Sequence, residues 1–293
     1  MGLTDAARQM KHAVLVARKR TRQGAVGVWD HVLRARAAST EYRFDVDSHR
    51  NKYGELPRMY FLHRSTDQTT SATREAARRI FCFWTGDNDM SDARQSALAA
   101  MRDRAGVPIE LVTADNLQDW VVDGHPVHPM YEMLSYVHRS DYLRAYFMAH
   151  HGGGYSDIKA PTATWDAAWE HFADQEVCVV GYQERSSRSC GGDVHTPLGR
   201  DIHRNFSRLV GLSAFIMRPG TPFAFGWLQE IERRLDYYAG ELSHAPGGTW
   251  GDAPGYPLRW VEIGADVFHP LQLKYLPHLR QDDRILPLLD GHR

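Results

Sequence analysis

The feature that most constrains this chain is Gly152-Gly153-Gly154, where a long helical pattern stops and an extended segment begins at once. Residues 130–150 read as a helix, and three successive glycines then let the backbone turn sharply, because φ > 0 carries no steric cost for them. Tyr155-Ser156-Asp157-Ile158-Lys159 follows, with a strand starting at Tyr155 and Asp157 projecting where it ends. A helix joined this closely to a strand suits an α/β sheet, in which ligands sit at the C-terminal ends of the strands.

The flanking sequence repeats the alternation. Ile80-Phe81-Cys82-Phe83-Trp84 is a short apolar run that meets a turn at Thr85-Gly86-Asp87-Asn88, which reads as a buried strand. Ser91 is placed to cap a helix over residues 92–104, which Gly106 ends. Further strands are expected at 108–112, 177–180 and 214–217, and a helix at 223–235 after Pro222. Strands alternating with helices argue for a sheet of parallel strands. Residues 3–38 carry a helical pattern that Gly24 and Gly27 are expected to break in two, and 40–76 read as a polar linker or irregular extension around one apolar run at 59–62. The expected division is a helical N-terminal extension with its linker, 1–75, and one α/β domain, 76–293.

Composition narrows the function classes. Lys and Arg total 35 against 36 Asp and Glu, so no global field directs the chain toward nucleic acid. Cys82, Cys178 and Cys190 are an odd number with no C-x-x-C spacing, which signals neither a disulfide framework nor a zinc knuckle and fits a reduced, cytoplasmic compartment. No secretory leader or membrane-spanning run is read. Between residues 8 and 36 lie eight basic side chains (Arg8, Lys11, Arg18, Lys19, Arg20, Arg22, Arg34, Arg36), a pattern suited to peripheral contact with an anionic inner membrane surface, to an oligomer contact or to a solvated helix face.

The chemistry concentrates in residues 138–159. Asp141 and Arg144 are three apart and share a helix face, as in a plain i,i+3 ion pair. The glycine turn then brings Asp157 to the same cleft. Two carboxylates and a guanidinium together suit a nucleotide-sugar donor, whose hydroxyls need acceptors and whose diphosphate needs positive charge.

The run Ser140-Asp141-x-x-Arg144, about eight helical residues, then Gly152-Gly153-x-Tyr155-x-Asp157-x-x resembles the capsular polysaccharide synthesis proteins and related DXD sugar-binding glycosyltransferases of GT-A fold. The glucosylating domains of large clostridial toxins share the pattern. Phe83-Trp84-Thr85-Gly86 is similar to that family's opening strand, residues 212–223 to its later strand-turn-helix with a Gly-x-Pro step, and Val267-Phe268-His269-Pro270 to its closing F-x-P element. The resemblance covers roughly residues 80–275. It implies a Rossmann-like mixed sheet flanked by helices and transfer of a sugar from a nucleotide diphosphate sugar, UDP-sugar favoured, to a hydroxyl of a glycan or lipid-linked acceptor. It implies that Trp84 stacks on the nucleobase, with Thr85, Gly86, Gly153, Gly154 and Tyr155 around the donor. Asp141 would hold sugar or ribose hydroxyls, Arg144 a hydroxyl or the phosphates, and Asp157 the donor together with a divalent ion.

One position departs from the family pattern. The second acid of the DXD triplet is Lys159, which removes a hard oxygen ligand for Mn²⁺ or Mg²⁺ and sets like charge beside the ion. Three readings stay open: Lys159 neutralises the diphosphate without metal; an ion is held by Asp157, the diphosphate and a distal His269 or Asp266; or the site is degenerate and only binds. An inverting reaction needs a general base, for which Asp193, Asp252, Glu262 and Asp266 are candidates. The stretches around Asp193 and residues 247–252 are glycine-rich loops that could cover the site. His125 and His128, and the pair His150-His151, lack further ligands at any metal spacing. A nucleotidyltransferase is a weaker alternative, because Gly86 is followed by Asp87, Asn88 and Asp89 rather than by basic residues.

Overall fold

A computed structural model describes residues 26–56, 60–64, 74–251 and 253–289. A helix covers residues 26–39 (α1), and the sheet opens with Ile80–Trp84 (β1). There follow Asp92–Arg104 (α2), Ile109–Thr113 (β2), Tyr136–His150 (α3), Gly153–Ser156 (β3), Val179–Gln183 (β4) and Pro197–Arg204 (α4). Val210–Met217 (β5), Pro222–Tyr237 (α5), Ala239–His244 (α6), Ala265–Lys274 (α7) and Leu279–Gln281 (β6) complete the regular elements used below.

The strands form one six-stranded mixed sheet in the order β2-β1-β3-β5-β4-β6. β1 pairs parallel with β2 and β3, β4 pairs parallel with β6, and β5 runs antiparallel to both β3 and β4. Five strands therefore end at one edge of the sheet and β5 alone begins there. The expectation of parallel strands holds except for β5.

Period-two alternation divides the core between the two faces. Phe81, Phe83, Tyr155, Phe215 and Met217 pack with α3, α5 and α7 on one side. Ile80, Cys82, Ala214, Ile216 and Val180 pack with Leu98 and Met101 of α2 and with Trp165 and Trp169 on the other. A strand covered on both faces can be apolar throughout, which is why Ile80–Trp84 reads as an unbroken hydrophobic run.

Helix ends follow their capping chemistry. Ser91 accepts from the Arg94 amide and Thr221 from the Ala224 amide, so α2 begins where expected and α5 begins at Pro222. The long central helix starts later than expected. Residues 131–133 form a separate 3-10 turn, and Ser135 caps α3 by accepting from the His138 amide. Between α5 and the sheet α3 is buried nearly all round, so it lacks a polar stripe that would mark its start. Its end is the turn foreseen in sequence: Gly152 sits at φ +65° and its amide returns to the Phe147 carbonyl at 2.9 Å.

The N-terminal extension is integrated with the domain. Gly27 lies inside α1 and does not break it, while Gly24 and six of the eight basic residues fall outside the described residues. Asp30 is buried and accepts from the Ser186 hydroxyl at 2.8 Å and from the Ser187 amide at 3.3 Å. Farther along, Asp201 accepts from Tyr42 at 2.7 Å and lies 3.1 Å from Nε2 of the fully buried His49, whose Nδ1 meets the Tyr60 hydroxyl at 2.9 Å. Tyr60, Phe61 and Leu62 are buried in the same core as Phe81 and Tyr142, so this stretch is core rather than linker. Met59 lies outside the described residues. Among the described residues no helix is long and apolar enough to cross a membrane.

Candidate functional site

The Ser140–Lys159 segment brings its charged residues together at the edge where β1 and β3 end. Asp141 and Arg144 meet at 3.0 Å on one face of α3, and Arg144 reaches Asp157 at 3.4 Å across the glycine turn. Lys159 donates to the other oxygen of Asp157 at 2.8 Å, and the Tyr155 hydroxyl donates to Oδ1 at 2.7 Å. The Arg144 guanidinium lies 4.6 Å from the centre of the Tyr155 ring. Two carboxylates, one guanidinium and one ammonium thus form a balanced, largely buried cluster. Arg144 Nε has no partner among the described residues.

Electrostatics follow from that geometry. Burial raises the pKa of Asp157, but Arg144, Lys159 and the Tyr155 hydroxyl outweigh it and hold the value at about 2. Asp141 lies deeper. Burial raises its pKa, and the opposing pull of Arg144 and His138 does not cancel the rise. Arg144 stays cationic because Tyr155, Asp141 and Asp157 together overcome its desolvation.

Neighbouring groups set the positions of these side chains. The Asp157 amide donates to the Ser213 carbonyl at 2.8 Å, continuing the β3–β5 pairing past the strand end. Arg94 of α2 donates to the Ile158 carbonyl at 2.7 Å and fixes the bend that returns Lys159 to Asp157. Gly264 packs against Asp141 so closely that a Cβ there would stand 3.2 Å from its carboxylate. His138 is fully buried, with Nδ1 at 2.9 Å from the Tyr256 hydroxyl and Nε2 at 3.2 Å from the Arg259 carbonyl. Sequence reading missed Arg94, Arg259 and Gly264, since nothing local marks contacts that arise only on folding.

The first strand's turn lies beside the start of α3. Trp84 is half-buried, packs toward the α2 face and donates from Nε1 to the Asn88 carbonyl at 2.8 Å. Thr85 is buried and donates to the Tyr136 carbonyl at 2.6 Å. Gly86 makes room for the Tyr136 ring, which would lie 2.5 Å from any Cβ at that position. Tyr136 in turn donates to Asp87 at 2.6 Å.

Several sequence expectations need correction. Gly153 and Gly154 are buried against the protein itself. A Cβ on Gly153, at φ +93°, would stand 2.8 Å from the Ala77 carbonyl, and one on Gly154 would stand 2.9 Å from Ile80. These glycines serve backbone packing at the opening of β3, at the far end of the strand from Asp157. Tyr155 is buried and acts through Asp157 and Arg144.

His269 does not join Asp157. It is fully buried, its Nδ1 accepts from the Gly191 amide at 2.9 Å, and its Nε2 is 3.9 Å from Glu184. Burial lowers its pKa to about 3. Among the described residues no group of three or more His, Cys, Asp or Glu is placed to hold a metal ion. Both oxygens of Asp157 are already engaged by cations or a hydroxyl. The residues present do not fit a divalent ion shared by Asp157 and His269.

The candidate bases differ in availability. Asp266, at the start of α7, accepts from the Gly192 amide at 2.7 Å and from Arg259 at 2.9 Å, and burial raises its pKa. Glu262 is buried between Arg234 and Arg259, and Asp193 is exposed and accepts from the His195 amide at 2.9 Å. Asp252 lies outside the described residues. The loop ahead of Asp193 is pinned rather than free, because Gly191 and Gly192 donate to His269 and Asp266 and a Cβ on Gly191 would meet the Ala265 carbonyl at 2.4 Å. The His125 and His150 rings lie 4.8 Å apart, tilted by 38°, and burial lowers the pKa of His150 to about 4. The three cysteines are free.

No protein-family model matches this chain, and no curated protein matches it either.

Proposed function

We propose that this chain is a GT-A-type glycosyltransferase that moves a sugar from a nucleotide diphosphate sugar, UDP-sugar favoured, to a hydroxyl of a glycan or lipid-linked acceptor. The observation that carries this reading is the convergence of Asp141, Arg144, Asp157 and Lys159 where β1 and β3 end. A crevice beside the C-terminal ends of strands is where an α/β sheet binds its ligands.

In this reading Trp84 offers its half-buried indole to the nucleobase. Asp141 and Asp157 accept from sugar or ribose hydroxyls, and Arg144 holds both carboxylates in register. An ammonium has three donors, and Asp157 takes one from Lys159, which leaves two, without a partner among the described residues, for diphosphate oxygens. Breaking the bond from the anomeric carbon to the diphosphate oxygen leaves charge on the nucleoside diphosphate, which Lys159 stabilises. The acceptor oxygen bonds to the anomeric carbon and loses its proton. Asp266 is the favoured base if the reaction inverts, since its raised pKa suits proton abstraction. This is the metal-independent branch, and the engagement of both Asp157 oxygens favours it.

A second reading keeps donor binding without turnover. It is motivated by the Lys159–Asp157 bond, which also closes the acid that would otherwise contact the donor. Calorimetric titration and hydrolysis assays with UDP-, GDP- and dTDP-sugars, each with Mn²⁺ and with EDTA, separate the two. Turnover that survives EDTA supports the enzyme, and binding without turnover across varied acceptors supports the second reading. Absence of binding by every donor removes both.

We further propose peripheral contact with an anionic inner membrane surface through α1. Val28, Trp29 and Val32 are exposed there, 69%, 60% and 50% respectively, and Trp with aliphatic neighbours beside basic residues suits a lipid interface.

A further inference from the structure

A cavity of about 500 Å³ opens between α1 and the β4–β6 side of the sheet, lined among others by Arg34, Gln183, Ser207, Arg208, Arg280 and Gln281. Among the described residues none that lines it is acidic. Arg280 is paired with Asp174 at 2.8 Å. Arg34 and Arg208 have no carboxylate within ion-pairing distance among the described residues. Arg34 donates to the Arg185 carbonyl and lies 5.1 Å from the Phe206 ring centre, while Arg208 donates to the carbonyls of Ala37 and Thr40. Carbonyl contacts hold these guanidiniums in place but leave their charge unmatched. Arg208 Nε is buried and has no partner among the described residues.

The side-chain amides around the cavity are already committed. Gln183 and Gln281 both donate to the Ser207 carbonyl at 2.9 Å, and Gln183 also reaches the Gln281 side-chain oxygen at 3.3 Å. What the cavity leaves unbalanced is positive charge, from two guanidiniums beside a third, with the Ser207 hydroxyl among its lining groups. Guanidinium forks match the oxygens of a phosphate.

We propose that this cavity is a binding site for a phosphate dianion, as borne by a soluble phosphate monoester. The cavity lies at the same sheet edge as Asp157, since β4 ends in Gln183 and β6 in Gln281. β6 is three places from β3 in the sheet, a separation of about 14 Å, so this is a second site. Arg34 and Ala37 face it, whereas Val28, Trp29 and Val32 lie on the opposite side of α1 at ~100° per residue, so the site turns away from the surface that Trp29 presents. The assignment stands apart from the glycosyltransferase reading.

The test is titration of the full chain with inorganic phosphate at low ionic strength, followed by backbone amide NMR. Expected are saturable shifts at Gln183, Ser207 and Gln281, weakened about tenfold or more by Arg34→Gln and largely kept by Arg34→Lys. The same spectra report whether each variant is folded, and Arg280→Gln, which also alters a lining residue, replaces Arg34→Gln if that variant is not. Shifts confined to Tyr155–Lys159, no shift at all, or unchanged affinity in the Gln variant would overturn the proposal. Acetate acting as strongly as phosphate would overturn the dianion assignment.

Discussion

Replacing Asp157 by Asn tests the electrostatic core of the site. The fall of its pKa from an ordinary 3.8 to about 2 means that the folded protein favours the carboxylate over the acid by about 2 kcal/mol. Because the folded value is depressed, that stabilisation is fully present above pH ~4 and is lost as pH falls through about 2. Asn imitates the protonated acid in shape and charge. Urea unfolding of both proteins should therefore show the variant less stable by about 2 kcal/mol at pH 7, roughly half that near pH 3, and little at pH 2. The difference between the two curves cancels carboxylates remote from the cluster; Asp141, whose pKa is raised by burial and also by the Asp157 charge, titrates lower in the variant. A gap that does not change with pH, or variants of equal stability at pH 7, would refute the claim that Arg144 and Lys159 hold Asp157 ionised.

Lys159→Met should lower donor hydrolysis about a hundredfold or more without rescue by Mn²⁺, checked by steady-state kinetics, because it removes the charge assigned to the leaving diphosphate. Gly153→Ala should cost about 2 kcal/mol or more in chemical denaturation, since φ is +93° and the new methyl would stand 2.8 Å from the Ala77 carbonyl. The triple change Val28→Ser, Trp29→Ser and Val32→Ser should reduce flotation with anionic liposomes while leaving the melting temperature nearly unchanged, because all three side chains are exposed. Equal flotation would discount α1 as the contact.

Local signals in the sequence were enough to place much of the sheet. β1 and α2 fall where their apolar run and Ser91 indicate, and the Gly152 turn lies where three glycines demand it. The start of α3 was not legible, because a helix buried on every side has no polar face, and its cap, Ser135, resembles any loop serine. The reversed β5 was equally hidden, since strand direction depends on pairing partners far along the chain. Within the site, Asp141, Arg144 and Asp157 were legible from spacing, and Lys159 joined them through one ion pair. Gly153 and Gly154 were misread because a glycine needed for packing looks the same in sequence as one needed for a ligand. His269 was misread because nothing in the sequence says that Gly191 supplies its hydrogen-bond partner.

The docking of α1 also bears on the order in which the molecule can be assembled. Asp30 is bound to Ser186, 156 positions later, and Arg208 reaches back 171 positions to Ala37. During synthesis the helix emerges first, yet the surface that receives it is completed only after β4 and α4 have left the ribosome. Until then Leu33 and Ala37, buried in the finished fold, have no place to pack. Contacts of such long sequence separation form late and slow the final step. Helix α1 is therefore among the last elements to be fastened, and a nascent chain stalled before residue 186 should leave it open to proteases that the completed protein resists.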